Sequence, residues 1–184
     1  MVHIQLDGDC GCLREWRPTD APDVARYANN REIWLNLRDA FPHPYLLHHA
    51  EWYISNSAGA QPPTQLAIAV SDQAVGSIGV MLHADVERVS AELGYWLAEP
   101  FWGRGITTAA VRAMTGYAFE TFRLTRIYAV PFASNTASGR VLEKAGFRLE
   151  GRMLRAAIKD GRILDQLLYA ITDEEWRALR GGTP

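Results

Sequence analysis

A chain of 184 residues, 48% of them hydrophobic and 10% aromatic, can bury the core of one domain and is too apolar to stay disordered. A formal charge of −2 at pH 7 supplies no general basic footprint for a phosphate backbone, which excludes nucleic-acid binding as the organising function. No apolar run approaches the ~20 residues that span a bilayer, and no secretory pattern opens the chain, so no membrane partner is expected and the expected setting is the cytoplasm.

The first expected strand is Cys12-Leu13-Arg14-Glu15-Trp16-Arg17. Cys10 and Cys12 lie two apart, the spacing at which strand residues point the same way, so with His3 or Asp9 they could share a metal. A closed zinc site needs about four ligands, no second pair exists, and ordinary reduced cysteines with no metal are expected. Thr19 is the expected cap of a first helix, with Asp20 in its positive first turn and Val24, Tyr27 and Ala28 as its apolar stripe. The Pro-rich stretches Pro42 to Pro44 and Pro62 to Pro63 read as loops rather than linkers, which leaves a single domain over residues 1–184.

A second helix is expected over Ala50 to Ser57, then strands Leu66 to Ser71 and Val75 to Leu82 joined at Asp72-Gln73, and a strand Ser90 to Ala98. Val111, Met114, Ala118 and Phe122 recur at helical spacing in the stretch from Gly105 to Phe122. A short strand Arg126 to Pro131 precedes a helix Asn135 to Ala145, which Gly146 closes in a left-handed cap. Asp160-Gly161 is a hairpin signal between strands Arg152 to Ile158 and Ile163 to Ile171. The order predicts an α/β sheet with helices on both faces.

Trp102-Gly103-Arg104-Gly105-Ile106-Thr107-Thr108 lies between a strand and a long helix. The first N–H groups of a helix have no intrahelical acceptor, two glycines let an anion approach the backbone, and the helix dipole adds about half a positive charge. Together these suit a phosphate or pyrophosphate. Neither a Walker loop nor a Gly-x-Gly-x-x-Gly run is present, and Gly-x-Gly alone is often only a tight turn.

Ala91-Glu92-Leu93-Gly94-Tyr95-Trp96-Leu97, the Gly103-Arg104-Gly105 loop, Asn135-Thr136-Ala137-Ser138 and Val141-Leu142-Glu143-Lys144-Ala145-Gly146-Phe147 follow one another in an order that resembles the GNAT superfamily of N-acyltransferases, in its RimJ/RimL-like branch. The resemblance runs from about Leu13 to Trp176. It implies a mixed, mostly antiparallel central sheet of about seven strands, helices on both faces, and a splayed cleft between the fourth and fifth strands that takes acetyl-CoA. By the same resemblance the backbone of Trp96 and Leu97 bonds the pantetheine arm, amides from Arg104 through Ile106, Thr107 and Thr108 hold the pyrophosphate beside Trp102, Gly103 and Gly105, and Asn135 meets the arm from the opposite wall. Ser138 faces the cleft mouth, and Arg104 and Arg140 either screen the phosphates or are solvated charges. A homodimer is a family-level expectation.

An acceptor ammonium must lose a proton before it attacks a thioester. At pH 7 an α-amine of pKa ~7.8 is roughly a tenth neutral, and a lysine of pKa ~10.4 is neutral about once in 2,500 molecules. The gap corresponds to about 3 kcal/mol, so a weak base favours an α-amine. Glu92 stands where many GNAT enzymes carry a catalytic glutamate and is the candidate base; the alternative is a paired structural carboxylate. The family's tyrosine acid is replaced by Leu142, which leaves Ser138, a water, or no acid for the leaving thiolate.

The segment between the first two helices, with Trp34, Arg38, Asp39 and Tyr45, is the expected acceptor wall, and Arg155 on the last hairpin either joins it or pairs with Asp165. The expected activity is acetyl transfer from acetyl-CoA to a primary amine in a ternary complex. A peptide N-terminus ranks first as acceptor and a small-molecule amine second; a non-catalytic acyl-CoA-binding module is the competing class.

Overall fold

A computed structural model describes residues 2–181. Its backbone packs into two compact units, one built from residues up to Gly79 with Tyr95–Ala113, the other from Val80–Gly94 and from Met114 onward. A single sheet of eight strands runs in the order β1-β2-β3-β4-β5-β6-β8-β7, one strand more than the seven expected.

The first unit opens with β1 (His3–Gln5), the additional strand, pairing antiparallel with β2 (Cys12–Arg14). β2 pairs with β3 (Gln65–Val70), and β3 with β4 (Gln73–Leu82), both antiparallel. Leu66, Ala67 and Ile68 have no exposed surface, and Ala74, Val75 and Ile78 are equally covered. Such continuous apolar runs mark strands covered on both faces, which short alternating strands do not show. The β3–β4 turn uses Ser71 and Asp72 at φ 48° and 67°, the paired left-handed geometry that matches strand twist in two-residue hairpins.

Thr19 does not cap the first helix. A short 3-10 turn over Pro18–Asp20 leads into α1 (Ala21–Ala28), and Asp20, buried, accepts from the Arg17 backbone N–H at 2.8 Å. The same carboxylate takes both guanidinium nitrogens of buried Arg14 at 2.8 Å, which pushes the Arg14 pKa up from its ordinary value against the desolvation that lowers it. Tertiary pairing thus outcompetes the local hydroxyl cap. α2 (Arg31–Trp34) is a short helix outside the expected elements, capped by Asn30, whose Oδ1 accepts from Glu32 and Ile33 N–H. α3 (Leu47–Ser57) begins three residues earlier than the pattern indicates.

Glycine at position 76 is set by closeness: a Cβ there would lie 2.4 Å from the Trp96 carbonyl oxygen. β4 therefore approaches the end of β5 (Ser90–Leu97) at backbone distance, and Ala98 N–H donates to Val75 O at 2.8 Å.

α4 (Ile106–Phe122) contributes its first half to this unit and its second half to the other. The second unit holds the start of β5, β6 (Arg126–Ala129), α5 (Thr136–Lys144), β7 (Arg148–Lys159), β8 (Arg162–Thr172) and α6 (Asp173–Leu179). β5 and β6 are parallel and matched at Ser90–Arg126, Ala91–Ile127 and Glu92–Tyr128. The ladder ends there, whereas β5 runs on to Leu97. β6 pairs with β8, and β8 with β7, antiparallel. Asp160 and Gly161 form the β7–β8 turn at φ 49° and 73°, as the sequence signal requires. α6 is a further unexpected element, opened by a Thr172–Glu175 capping box.

Candidate functional site

In the first unit, β5 ends at Leu97, a 3-10 turn covers Glu99–Phe101, and a loop from Trp102 to Gly105 enters α4. Gly103 and Gly105 hold φ of 73° and 80°, and added Cβ atoms would meet nothing within 4 Å. Backbone conformation rather than crowding therefore demands glycine at both, since a left-handed L-residue costs roughly 1–2 kcal/mol. The first bond of the helix runs from Ala109 N–H to the Gly105 carbonyl at 3.1 Å. By the helical rule the N–H groups of Ile106, Thr107 and Thr108 lie ahead of any intrahelical acceptor and face the open end. Ile106 is buried, and Thr107 and Thr108 are half-buried. Main-chain N–H groups arranged in this way can receive an anion.

Trp102 staples this loop: its indole Nε1–H donates to the Leu97 carbonyl at 2.7 Å. Leu97 O thus spends one acceptor site inside the protein. The Arg104 guanidinium lies 5.3 Å from the centroid of the Phe101 ring, whose edge meets Tyr27 at 5.9 Å between centroids. This cation–π rest holds the charge beside the loop. Sequence pattern does not reveal it, because Tyr27 and Phe101 come from separate elements. Cys10, a half-buried free thiol, places Sγ 3.9 Å from the Arg104 carbonyl oxygen.

The segment expected to hold the acceptor forms an aromatic wall in the same unit. Trp96 meets Phe41 at 6.0 Å, Phe41 meets Tyr45 at 4.7 Å, and Tyr45 meets His49 at 5.6 Å between centroids. Trp34 stacks on His43 at 5.6 Å. Tyr45 is 5% exposed, and burial, with a smaller contribution from Tyr53, pushes its pKa up to about 12. It packs as a neutral core phenol. Arg38 and Asp39 are exposed in the turn that Phe41 N–H closes onto the Arg38 carbonyl at 2.9 Å.

In the second unit, Glu92 sits half-buried opposite Tyr128. The Tyr128 hydroxyl lies 2.9 Å from His83 Nε2, with the rings 7° from parallel. Only the strand register brings Tyr128 beside Glu92; nothing in their sequence spacing signals it. Asn135 caps α5, its Oδ1 accepting from Ser138 N–H at 3.1 Å. Ser138 is half-buried and Arg140 exposed. Leu142, at the position of the family's tyrosine, has no exposed surface. The other tyrosine nearby, Tyr169, donates to Glu143 at 3.1 Å, and its pKa is raised by burial and by that carboxylate.

Arg155 belongs to the second unit and sits at φ 53° beside a bulge of β7. Its backbone N–H donates to Asp165 Oδ1 at 2.8 Å, while Arg152 Nε takes Asp165 Oδ2 at 2.8 Å. Asp165 thus pairs across the strands with the Arg152 guanidinium and the Arg155 backbone. Among the described residues no group of three or more His, Cys, Asp or Glu could hold a metal ion, and no helix is long and apolar enough to cross a membrane.

Residues 12–148 match the family model described as acetyltransferase (GNAT) domain. YdaF of Bacillus subtilis (strain 168), provisionally named a ribosomal N-acetyltransferase, is 38% identical over 86 residues, 47% of each chain. The [Ribosomal protein uS5]-alanine N-acetyltransferase of Escherichia coli (strain K12) is 32% identical over 102 residues, 54% of this chain and 53% of that one. The chain thus spans about half the length of these curated relatives. Mycobacterium smegmatis RimJ in complex with CoA-disulfide superposes with a TM-score of 0.81 at 27% identity, covering 98% of this chain and 93% of that one. The chain belongs to the GNAT acetyltransferase family.

Proposed function

We propose that this chain transfers the acetyl group of acetyl-CoA to a primary amine by direct attack in a ternary complex, and that the acceptor is the N-terminal α-amine of a protein or peptide. The observation that carries the proposal is the pair of left-handed glycines placing the start of α4 at the end of β5. A main-chain cradle of this kind takes a diphosphate without needing a lysine. The CoA-disulfide bound to the RimJ relative and the alanine named as acceptor of the Escherichia coli relative support the two halves of the proposal.

In this scheme Glu92 accepts a proton from the acceptor ammonium, directly or through a water. The neutral amine then attacks the thioester carbonyl carbon, forming the C–N bond and an oxyanion that main-chain dipoles on β5 stabilise. Collapse breaks the C–S bond, and the departing CoA thiolate takes the second proton that the acylated nitrogen loses, leaving a neutral amide and CoA thiol. A thiolate is a competent leaving group, so the leucine at position 142 does not stop the reaction.

The test is CoA release from acetyl-CoA at pH 7 with two peptide sets, one with free N-termini and no lysine, the other N-blocked with one lysine. Free N-termini should react about a hundredfold faster or more, following the neutral-amine fractions. Equal rates, or turnover only with small amines, would overturn the acceptor assignment.

A further inference from the structure

The face of the β5–β6 ladder that carries Glu92 also carries Tyr128. Ala91 and Ile127, at the middle rung, are fully covered, whereas Ser90, Glu92, Arg126 and Tyr128 are half-buried. Matched residues of neighbouring strands share a face, and faces alternate along each strand. Glu92 and Tyr128 therefore stand side by side on strands about 4.8 Å apart. Beyond Tyr128 lies an open groove lined by His83, Glu87, Ser90, Arg126, Tyr128 and Leu168. The Tyr128 hydroxyl is 2.9 Å from His83 Nε2 within it.

The charges around this pair are balanced. The Arg126 guanidinium, 6.0 Å from the Tyr128 ring centroid, is held by the Glu150 carboxylate, one bond measuring 2.8 Å. Glu87 is exposed at the rim. His83 thus has a ring nitrogen turned to a hydroxyl and lines an open groove.

We propose that Tyr128 and His83 form the outlet for the proton that Glu92 removes from the acceptor ammonium, an assignment that rests on Glu92 as base. Protonated Glu92 returns its proton to the Tyr128 oxygen while the Tyr128 hydroxyl proton moves to His83 Nε2. The imidazolium then loses one proton to water in the groove. Each cycle leaves Glu92 a carboxylate, Tyr128 a neutral phenol and His83 a neutral imidazole, so one proton passes from amine to solvent and no other group changes. Tyr128 and His83 act through Glu92 and do not touch the thioester.

The experiment compares Tyr128→Phe, His83→Ala and Glu92→Gln with the unaltered enzyme, using acetyl-CoA and a free N-terminal peptide. Tyr128→Phe and His83→Ala should each lower kcat about tenfold or more while KM stays within about twofold. Added imidazole should restore His83→Ala, because the groove is open, and should leave Tyr128→Phe unchanged. Combining either with Glu92→Gln should cost nothing further. Full kcat in both relay variants, where Glu92→Gln has lost it, would overturn the outlet and leave the base standing. A His83→Ala loss that imidazole does not restore would also overturn it. Full rate in Glu92→Gln would remove the underlying assignment first.

Discussion

Glu92→Gln lowers kcat for acetyl transfer about 10²–10⁴-fold at pH 7, the range that a positioned general base contributes, with acetyl-CoA affinity unchanged. Glutamine keeps the size of the half-buried side chain on β5 and removes its charge and basicity. The cradle residues lie further along the chain, from Trp102 to Thr108, so binding and proton removal are separable. The deficit should shrink as pH rises: above ~7.8 a growing share of an α-amine arrives neutral and needs no base. Steady-state rates from pH 6 to 9, with acetyl-CoA affinity measured by calorimetry, check both parts. A variant with full rate across that range would show that Glu92 is a structural carboxylate.

Asp20→Ala costs about 3–5 kcal/mol of stability, the usual penalty for removing one partner of a buried ion pair. The side chains of Arg14 and Asp20 are 4% and 6% exposed, and their two bonds are 2.8 Å each. Arg14 Nε already has no hydrogen-bond partner, so losing Asp20 leaves a buried guanidinium with the Glu15 and Asp72 carbonyls and a long contact to the exposed Asp72 carboxylate. At roughly 2–4 °C per kcal/mol for a chain of this size, the melting temperature should fall by about 10 °C. Thermal unfolding followed by circular dichroism measures it; a fall of only a degree or two would mean that the pair is stability-neutral.

Features encoded within a few residues are legible in the sequence. The Asp160-Gly161 turn, the Gly103-x-Gly105 entry to α4, and the Asn135 and Gly146 ends of α5 rest on backbone rules that act locally, and all appear in the structure. α6 carries its own local signal as well, in the Thr172-x-x-Glu175 spacing. Long-range choices are not legible. Thr19 is a sound cap by local rules, yet Asp20 is claimed by Arg14 from another element. β1 is three residues long and exists because β2 offers it an edge. Tyr45, expected in the acceptor wall, is buried with its ring against Phe41 and His49, contacts that its place in the sequence does not signal. The neighbours of Glu92 depend on a parallel register, and Tyr128 and His83 come from segments 45 residues apart. Sequence thus marks where the backbone turns, and folding decides which side chains meet.

The most direct measurement titrates the isotopically labelled protein with CoA and follows the amide resonances of Arg104, Gly105, Ile106, Thr107 and Thr108. These amides should shift and become protected from exchange with CoA, and stay unmoved with acetyl-pantetheine, which lacks the diphosphate. CoA that binds without disturbing them would contradict the main-chain grip on which the acyl-transfer proposal depends.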